Sequence, residues 1–464
     1  MLLIRSALAY LALIAAILAL LPGIAGLGAI AVSLAVILGW RDMRLVPKAV
    51  FLVAGFALAF ALGRDPGMIA AAADNMSRLA GLVLAVMLLS SVLGRTSDLQ
   101  KISVSLFGGR PRVRYLSLAF GTAMVSIPLN FGAVAVVGSV VGERVRSNGD
   151  SPATRNATRA VLRGFGVSPT FSPLSISVVL TLTLLPGLGS LQLLMLTIPF
   201  SIALLFSGLI WREPEPESEI EPCQLEVSGG SAAISANRSA FVSTAGLAPW
   251  FRFCALILAI CASVFLLSHQ FQLSYAYAVT LSCMGAVVGA RLLAWSRRTN
   301  PPLVSMANVS NELAIVGGSA FIGAVISAAV LGQINGDLNL PDWLWPVLAA
   351  AVPWVFFIAG LGGVNPIVIG TLAGGILGAV WPGNALVGLG FAMVTGWGIT
   401  AFGTPFAANA LIMERLTGYK AVDASLRWSL SLALSGLTAA SALAAGQTLV
   451  LAQLVCPFRL CGIF

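Results

Sequence analysis

Apolar residues run along this chain in long blocks, not in the alternation of a half-buried strand or the narrow stripe of a surface helix. Ala7–Leu21, Ile24–Trp40, Ala49–Leu62 and Leu79–Leu93 are the first four, and similar blocks recur throughout. Flanking small residues extend most of them toward the ~20 residues that span a bilayer. A single segment in lipid can satisfy its own backbone only as a helix. The pattern predicts helices near 4–22, 24–40, 49–64 and 77–94, then a hairpin near 113–142. A broken helix near 160–186 and a helix near 189–211 follow. Past a polar stretch it predicts helices near 249–268, 273–294 and 313–333, then a hairpin near 346–380. A broken helix near 386–416 and a last helix near 426–453 complete the list. The expected fold is an all-α polytopic membrane protein, with about eleven transmembrane helices and two re-entrant hairpins.

The chain also repeats itself. Gly164-Phe165-Gly166-Val167-Ser168 returns 232 residues later as Gly396-Trp397-Gly398-Ile399-Thr400. Ser172-Pro173 returns as Thr404-Pro405, and the same offset carries Ser126–Gly138 onto Ile358–Gly370. Each copy then holds three helices, a hairpin, a broken helix and one more helix. Five crossings per copy is an odd number, so the second copy is expected to be inverted. The domain reading is an extra N-terminal helix at 1–23, a first repeat at 24–211, an acidic linker at 212–248, an inverted repeat at 249–456 and a tail at 457–464. The first segment reads as a retained helix; a signal peptide is the alternative, but no clean cleavage site stands out.

Composition agrees: 58% of residues are hydrophobic and 9% charged, against about 25% charged in soluble domains. The net charge of +9 does not mark a nucleic-acid partner, because the basic residues sit at segment ends. With the N-terminus inside, only Arg64, Arg78 and Arg459 fall outside, as the positive-inside rule requires. This places the N-terminus in the cytoplasm, the C-terminus outside and the chain in the inner (cell) membrane. It also keeps the arginines on both sides of residues 115–142 on one face, which makes that stretch a re-entrant hairpin. Cys254, Cys261 and Cys283 lie in apolar runs and read as core residues; Cys456 and Cys461 have no metal spacing. His269 is the only histidine, so histidine-cluster catalysis or metal binding is excluded.

The candidate chemistry sits where helices should break. Ser126-Ile127-Pro128-Leu129-Asn130-Phe131-Gly132 and Gly360-Leu361-Gly362-Gly363-Val364-Asn365-Pro366 are the expected hairpin tips. Gly164, Gly166, Pro169 and Pro173 are expected to interrupt the first broken helix, beside Ser168, Thr170, Ser172 and Ser175. Thr400, Gly403, Thr404, Pro405 and Asn409 do the same in the second. Exposed carbonyl and hydroxyl oxygens suit a hard monovalent cation, and half-helix N-termini suit an anion. The candidate binding set is therefore Ser126, Asn130, Ser168, Thr170, Ser172, Asn365, Thr400, Thr404 and Asn409, with sodium near Asn130, Ser168, Asn365 and Thr400. Asn130 and Asn365 also suit satisfying their own tips. Glu312 is the acid best placed to take a proton. Arg163 reads either as a basic anchor or as an anion-facing group.

On these residues the chain resembles the ion transporter superfamily, which contains divalent anion:sodium symporters, C4-dicarboxylate carriers and arsenite permeases. Gly403-Thr404-Pro405 is similar to that superfamily's Gly-Thr-Pro motif, whereas its Ser-Asn-Thr tripeptides are absent from the tips, where Leu129-Asn130-Phe131 and Val364-Asn365-Pro366 keep only the asparagine. The resemblance covers roughly residues 24–453. It implies an inverted-repeat secondary transporter, often a homodimer, that carries its site by an elevator-like motion. It also implies a cation between each tip and its break, with the substrate between the two cation sites.

The expected function is sodium-coupled transport of a small organic anion of the carboxylate type. No resident cofactor is expected beyond the coupling ion, and no catalytic residue. Two alternatives share the fold: a sodium/proton antiporter or an inorganic-anion efflux permease. A membrane-embedded enzyme acting on a lipid-linked substrate would show acid and arginine clusters or large polar loops. A channel would not need two inverted broken helices.

Overall fold

The computed structural model describes residues 2–19, 24–94, 96–215, 248–298, 302–334 and 340–455. The linker beyond residue 215 and the tail at 457–464 lie outside the described residues. The described residues are helical throughout, with no strand among them. In the first half the helices are α1 (Leu2–Ile17), α2 (Ile24–Gly39), α3 (Leu45–Arg64), α4 (Pro66–Leu93) and α5 (Ser97–Ser105). They continue as α6 (Pro111–Leu129), α7 (Phe131–Asn148), α8 (Pro152–Phe171), α9 (Ile176–Leu184) and α10 (Ser190–Ser207). The second half holds α11 (Ala248–Gln270), α12 (Tyr275–Ser296), α13 (Ser310–Ile334), α14 (Leu344–Leu361) and α15 (Pro366–Val380). It ends with α16 (Leu386–Gly403), α17 (Ala408–Thr417) and α18 (Leu430–Val455).

Among the described residues, 10 helices are long and apolar enough to cross a membrane, counting α8–α9 and α16–α17 as one each. The expected helix near 4–22 is shorter, ending at Ile17. Two helices start earlier than the hydrophobic pattern suggests, because caps carry them through polar residues. Asp65 accepts from Gly67 N at 2.8 Å and Pro66 pre-sets the first turn of α4. The polar stretch that follows is then helical, with Arg78 paired to Asp74 at 2.6 Å one turn away. Ser151 and Thr154 form a capping box ahead of Pro152, which starts α8 eight residues before the expected 160. The short α5 and a π-helical turn at Asp423–Arg427 were not expected.

The helices pack in two groups. In one, α4 lies against α13, α1 and α12, and α13 also packs on α3 and α2. In the other, α6 lies on α8, α14 on α16, α18 on both α14 and α16, and α8 crosses α16. Contacts of α13 with α15 and of α4 with α6 join the groups. On the first group, α3 exposes Leu52, Val53, Phe56 and Phe60, as a lipid-facing helix does. Cys283 is buried in the core and Cys261 packs half-buried against it, as expected of core residues, while Cys254 is only half-buried.

The expected anchor or anion-facing role of Arg163 gives way to a third one. Arg163 is 1% exposed and among the largest fully buried side chains. It donates to Tyr115 Oη at 2.8 Å, Gly208 O at 3.0 Å, Trp428 O at 2.7 Å and Ser429 Oγ at 3.4 Å. Its fork therefore ties α8 to α6, to the end of α10 and to the start of α18. A buried guanidinium is tolerable only when its donors are met in this way. Arg163→Met would strand three buried oxygens, each worth ~1–3 kcal/mol. We expect a loss of about 3 kcal/mol or more, read as a lower melting temperature in detergent. Arg163→Lys should recover only part, since an ammonium lacks the planar fork. An unchanged melt for Arg163→Met would refute the tie.

Candidate functional site

The repeated Gly-x-Gly stretches do not break their helices. Both lie inside them, and the expected interruption at Gly164 and Gly166 is corrected to a close crossing. A Cβ on Gly164 would sit 2.2 Å from Ala119 O of α6, and one on Gly396 2.8 Å from Pro353 Cα of α14. The first glycine of each stretch thus seats its helix on its own hairpin. The second seats the two helices on each other. A Cβ on Gly166 would meet Phe402 Cβ at 2.6 Å, and one on Gly398 would meet Thr170 Cγ2 at 2.2 Å. Thr170 and Phe402 are themselves 232 residues apart, so each contact repeats the other at the same offset.

The breaks come later, at 172–175 and 404–407, again 232 apart. Proline causes both. Pro173 and Pro405 lack an N–H and push the preceding residue out of the α region. Ser172 stands at φ −78°, ψ 120° and Thr404 at φ −121°, ψ 142°. In each case a helix C-terminus (α8, α16) and a helix N-terminus (α9, α17) meet at the break. Carbonyls and amides are thereby offered side by side.

The two breaks are finished differently. Pro169 O has lost the N–H of residue 173, and Ser175 Oγ and Ser177 Oγ donate to it at 2.9 and 2.6 Å. Ser175 also caps α9 by accepting from Val178 N at 3.3 Å. In the second copy Ala407 and Asn409 stand in place of Ser175 and Ser177. Ala407 gives no side-chain cap. Asn409 is 1% exposed, and its Nδ2 has no partner among the described residues. Ser172 is equally buried, with an unpartnered Oγ. So one break holds an uncommitted hydroxyl and the other an uncommitted amide donor.

Other expected residues are more engaged. Thr400 Oγ1 donates to Gly396 O at 2.7 Å and Thr404 Oγ1 to Thr400 O at 2.9 Å, leaving their remaining lone pairs as acceptors. Thr170 Oγ1 bonds Val167 O at 2.6 Å and also meets Ser201 Oγ, so it is tied into the crossing. Ser126 Oγ donates to Thr122 O at 2.6 Å inside α6. Ser168 is buried.

The tips also differ. α6 runs through Pro128 to Leu129, and the first tip narrows to Asn130 at φ 49°. Asparagine tolerates positive φ better than most residues. Its side chain makes no capping bond. The second tip spans 362–365, where Asn365 Oδ1 caps α15 by accepting from Ile367 N at 2.9 Å. The end of α14, just before this tip, lies on α16 at its break: a Cβ on Gly360 would be 2.3 Å from Thr400 Cγ2 and 3.2 Å from Thr404 Cγ2. At the first tip, Phe131 stacks on Phe165, three residues before Ser168, with ring centres 5.3 Å apart.

Three groups at the site carried no sequence signal. Tyr275 Oη of α12 donates to Pro173 O at 3.2 Å, and Ser425 Oγ to Thr404 O at 3.2 Å. Each break thus has one carbonyl held by a hydroxyl from outside its helix. Thr122 Oγ1, one turn from Ser126 in the first hairpin, is buried without a partner among the described residues.

The second half-helices interlock with the opposite hairpins. α17 packs on α7, and α9 on α15. A Cβ on Gly142 would lie 2.1 Å from Leu416 O, and one on Gly374 2.7 Å from Leu184 Cδ1. Both glycines and both leucines are 232 residues apart. At the far end of α17, Tyr419 Oη donates to Asp150 Oδ1 at 2.8 Å. Burial pushes this phenol up to about 12, so it remains a donor through the neutral range.

No protein-family model matches the chain, and no curated protein matches it. Among solved structures it is similar to the Alcanivorax borkumensis YdaH transporter, at 16% identity and a TM-score of 0.43. The match covers 80% of this chain and 86% of that one.

The crossing predicts a sharp contrast between glycines. Gly166→Ala must move Phe402, whose backbone N lies 2.8 Å from the new Cβ; overpacking of this kind costs ~1–3 kcal/mol. Gly446→Ala in α18 meets nothing within 4 Å and should be neutral or slightly stabilising. Melting temperatures in detergent decide it, and equal shifts would remove the crossing from the account.

Proposed function

We propose that this protein is a sodium-coupled secondary active transporter for a small organic anion of the carboxylate type. The observation that carries the reading is the pair of proline breaks at 172–175 and 404–407, packed through Gly166 and Gly398 into one unit. Irregular backbone at membrane depth survives only where it is buried in protein or lines a wet cavity. Paired broken helices in two halves are the arrangement that marks transporter sites. The 232-residue offset of the glycine contacts supports two inverted copies, 24–211 and 249–456.

In this reading sodium takes oxygens near Asn130 and Ser168, and near Asn365 and Thr400, with Ser126, Ser172 and Thr404 close by. Sodium supplies the driving gradient and offsets the negative charge of the substrate. Asn409 Nδ2 and the N-termini of α9 and α17 favour the anion's carboxylate. Thr170 positions the first break through its contact with Gly398. The α6–α10 and α14–α18 group moves as the carrier, in an elevator-like step, against the other group. The protein sits in the inner membrane with its N-terminus in the cytoplasm and its C-terminus outside, as a homodimer.

A specific observation favours the antiporter alternative: Glu312 Oε2, at the start of α13, is buried and unpartnered among the described residues. A proton there would supply the missing partner.

Uptake of labelled carboxylates and oxyanions into proteoliposomes tests both readings. A sodium gradient should drive carboxylate uptake, and pH-driven uptake without sodium would sink the symport reading. Asn409→Leu should raise the half-saturating anion concentration about tenfold, as loss of a buried hydrogen bond to a charged group does. Ser172→Ala should weaken the sodium dependence instead. Glu312→Gln should leave a symporter working and stop an antiporter.

A further inference from the structure

We propose that the cavity at the foot of α10 binds the phosphate headgroup of an anionic membrane phospholipid, independently of the transport reading. The cavity has a volume of about 330 Å³ and is lined by Arg112, Leu209, Ile210, Arg212 and Pro214. Two arginines and, among the described residues, no acidic residue line it. Arg212 Nη1 is buried without a hydrogen-bond partner among the described residues. A buried guanidinium N–H calls for an acceptor, and a phosphate oxygen is one it binds well.

The neighbouring acids Glu213 and Glu215, at the start of the stretch read as an acidic linker, are committed elsewhere. Glu213 is held by Arg155 Nε at 2.8 Å and by Arg159. Glu215 is held by Arg114 and accepts from Asn156 Nδ2 at 2.7 Å. Asn156 Oδ1 also accepts from Glu213 N at 2.9 Å, which fixes the strap's backbone. Both carboxylates are thus drawn toward α6 and α8. Pro214, between them, presents a wall with no charge and no N–H. The strap fixes the shape of the cavity, and among the described residues no acid neutralises its positive charge.

The ligand's apolar part is indicated by α10. Leu191, Met195, Ile198, Ile202, Phe206 and Ile210 are all exposed. Their spacing of three or four residues makes one continuous outward stripe. Ile210, at its end, is 75% exposed and is itself a wall of the cavity. An acyl chain lying along the stripe delivers its headgroup to Arg112 and Arg212. A free anion has no use for the stripe. Arginine-lined pockets at the basic end of a helix bundle are where anionic headgroups bind.

The test counts lipids retained by the full-length protein in native mass spectrometry. The protein is taken from nanodiscs of phosphatidylcholine with or without phosphatidylglycerol. The unaltered chain should retain phosphatidylglycerol in preference. Arg112→Gln and Arg212→Gln should each weaken that preference about fivefold, and Arg297→Gln, a basic residue elsewhere, should not. Arg112 is exposed, so its substitution leaves the fold intact and keeps the result readable. Equal retention by all variants would overturn the proposal. So would equal loss in the Arg297→Gln variant, which would mean diffuse charge attraction. A third arm adds inorganic phosphate to detergent-solubilised protein: stabilisation matching that of phosphatidylglycerol would assign the site to a free anion instead.

Discussion

The close approach of α8 and α16 is the constraint on which the rest of the site depends. Where Gly166 meets Phe402 and Gly398 meets Thr170, there is no room for one more carbon. In lipid, where hydrophobic burial does not drive helices together, such backbone proximity is a main source of helix packing. The breaks follow a turn and a half beyond these glycines, so the crossing fixes where they stand relative to each other. The preceding glycines, Gly164 and Gly396, fix each helix to its own hairpin by the same means. Two glycines per helix therefore position four elements. The unsatisfied groups at the breaks can be held in place without the break itself being rigid.

Much of this was legible in the sequence because its signals are local. Hydrophobic blocks, prolines and the 232-residue offset act within a few turns of where they appear. The hairpins and the broken helices were within reach of such a reading, whereas the approach of the second hairpin to Thr400 and Thr404 came only with the resemblance. The role of the Gly-x-Gly stretches was not. Glycine weakens a helix and also permits close packing, and only the neighbour decides which property matters. Asn130 and Asn365 looked equivalent, yet they stand at different points of tips of different length, and only Asn365 caps its helix. Tyr275 and Ser425 were out of reach for the opposite reason: each arrives from a distant segment to hold a single carbonyl.

Charge placement obeys a second logic at the basic end of the bundle. Arg163, Arg155, Arg159 and Arg114 are all engaged, by neutral oxygens in the first case and by Glu213 or Glu215 in the others, although Arg159 Nε has no partner among the described residues. Arg159 also lies over the Trp428 ring at 5.1 Å. Together they bind the end of α10 and the start of α18 to the foot of α8, whose other end is the first break. The segments that enter and leave this group of helices are thus tied to the helix that carries the first break. Buried charge of this kind adds little net stability when well paired, but it fixes which neighbours a helix has.

The asymmetry of the two breaks argues for unequal roles within one site. Around the first break, the hydroxyls of Ser175 and Ser177 satisfy the carbonyl that Pro173 leaves without a donor, and Tyr275 holds the carbonyl of Pro173 itself. What is left over there is the Ser172 hydroxyl, whose oxygen can still accept. Around the second, Ala407 removes one hydroxyl and Asn409 replaces another with an amide whose N–H is not used. A cation is better served by leftover oxygen, and an anion by a leftover N–H. If the halves were equivalent, an ion and its substrate would compete for the same ligands. For the transporter proposed above, two breaks with unlike surpluses would let an ion and its substrate be bound side by side, which is the condition for one to strengthen the binding of the other.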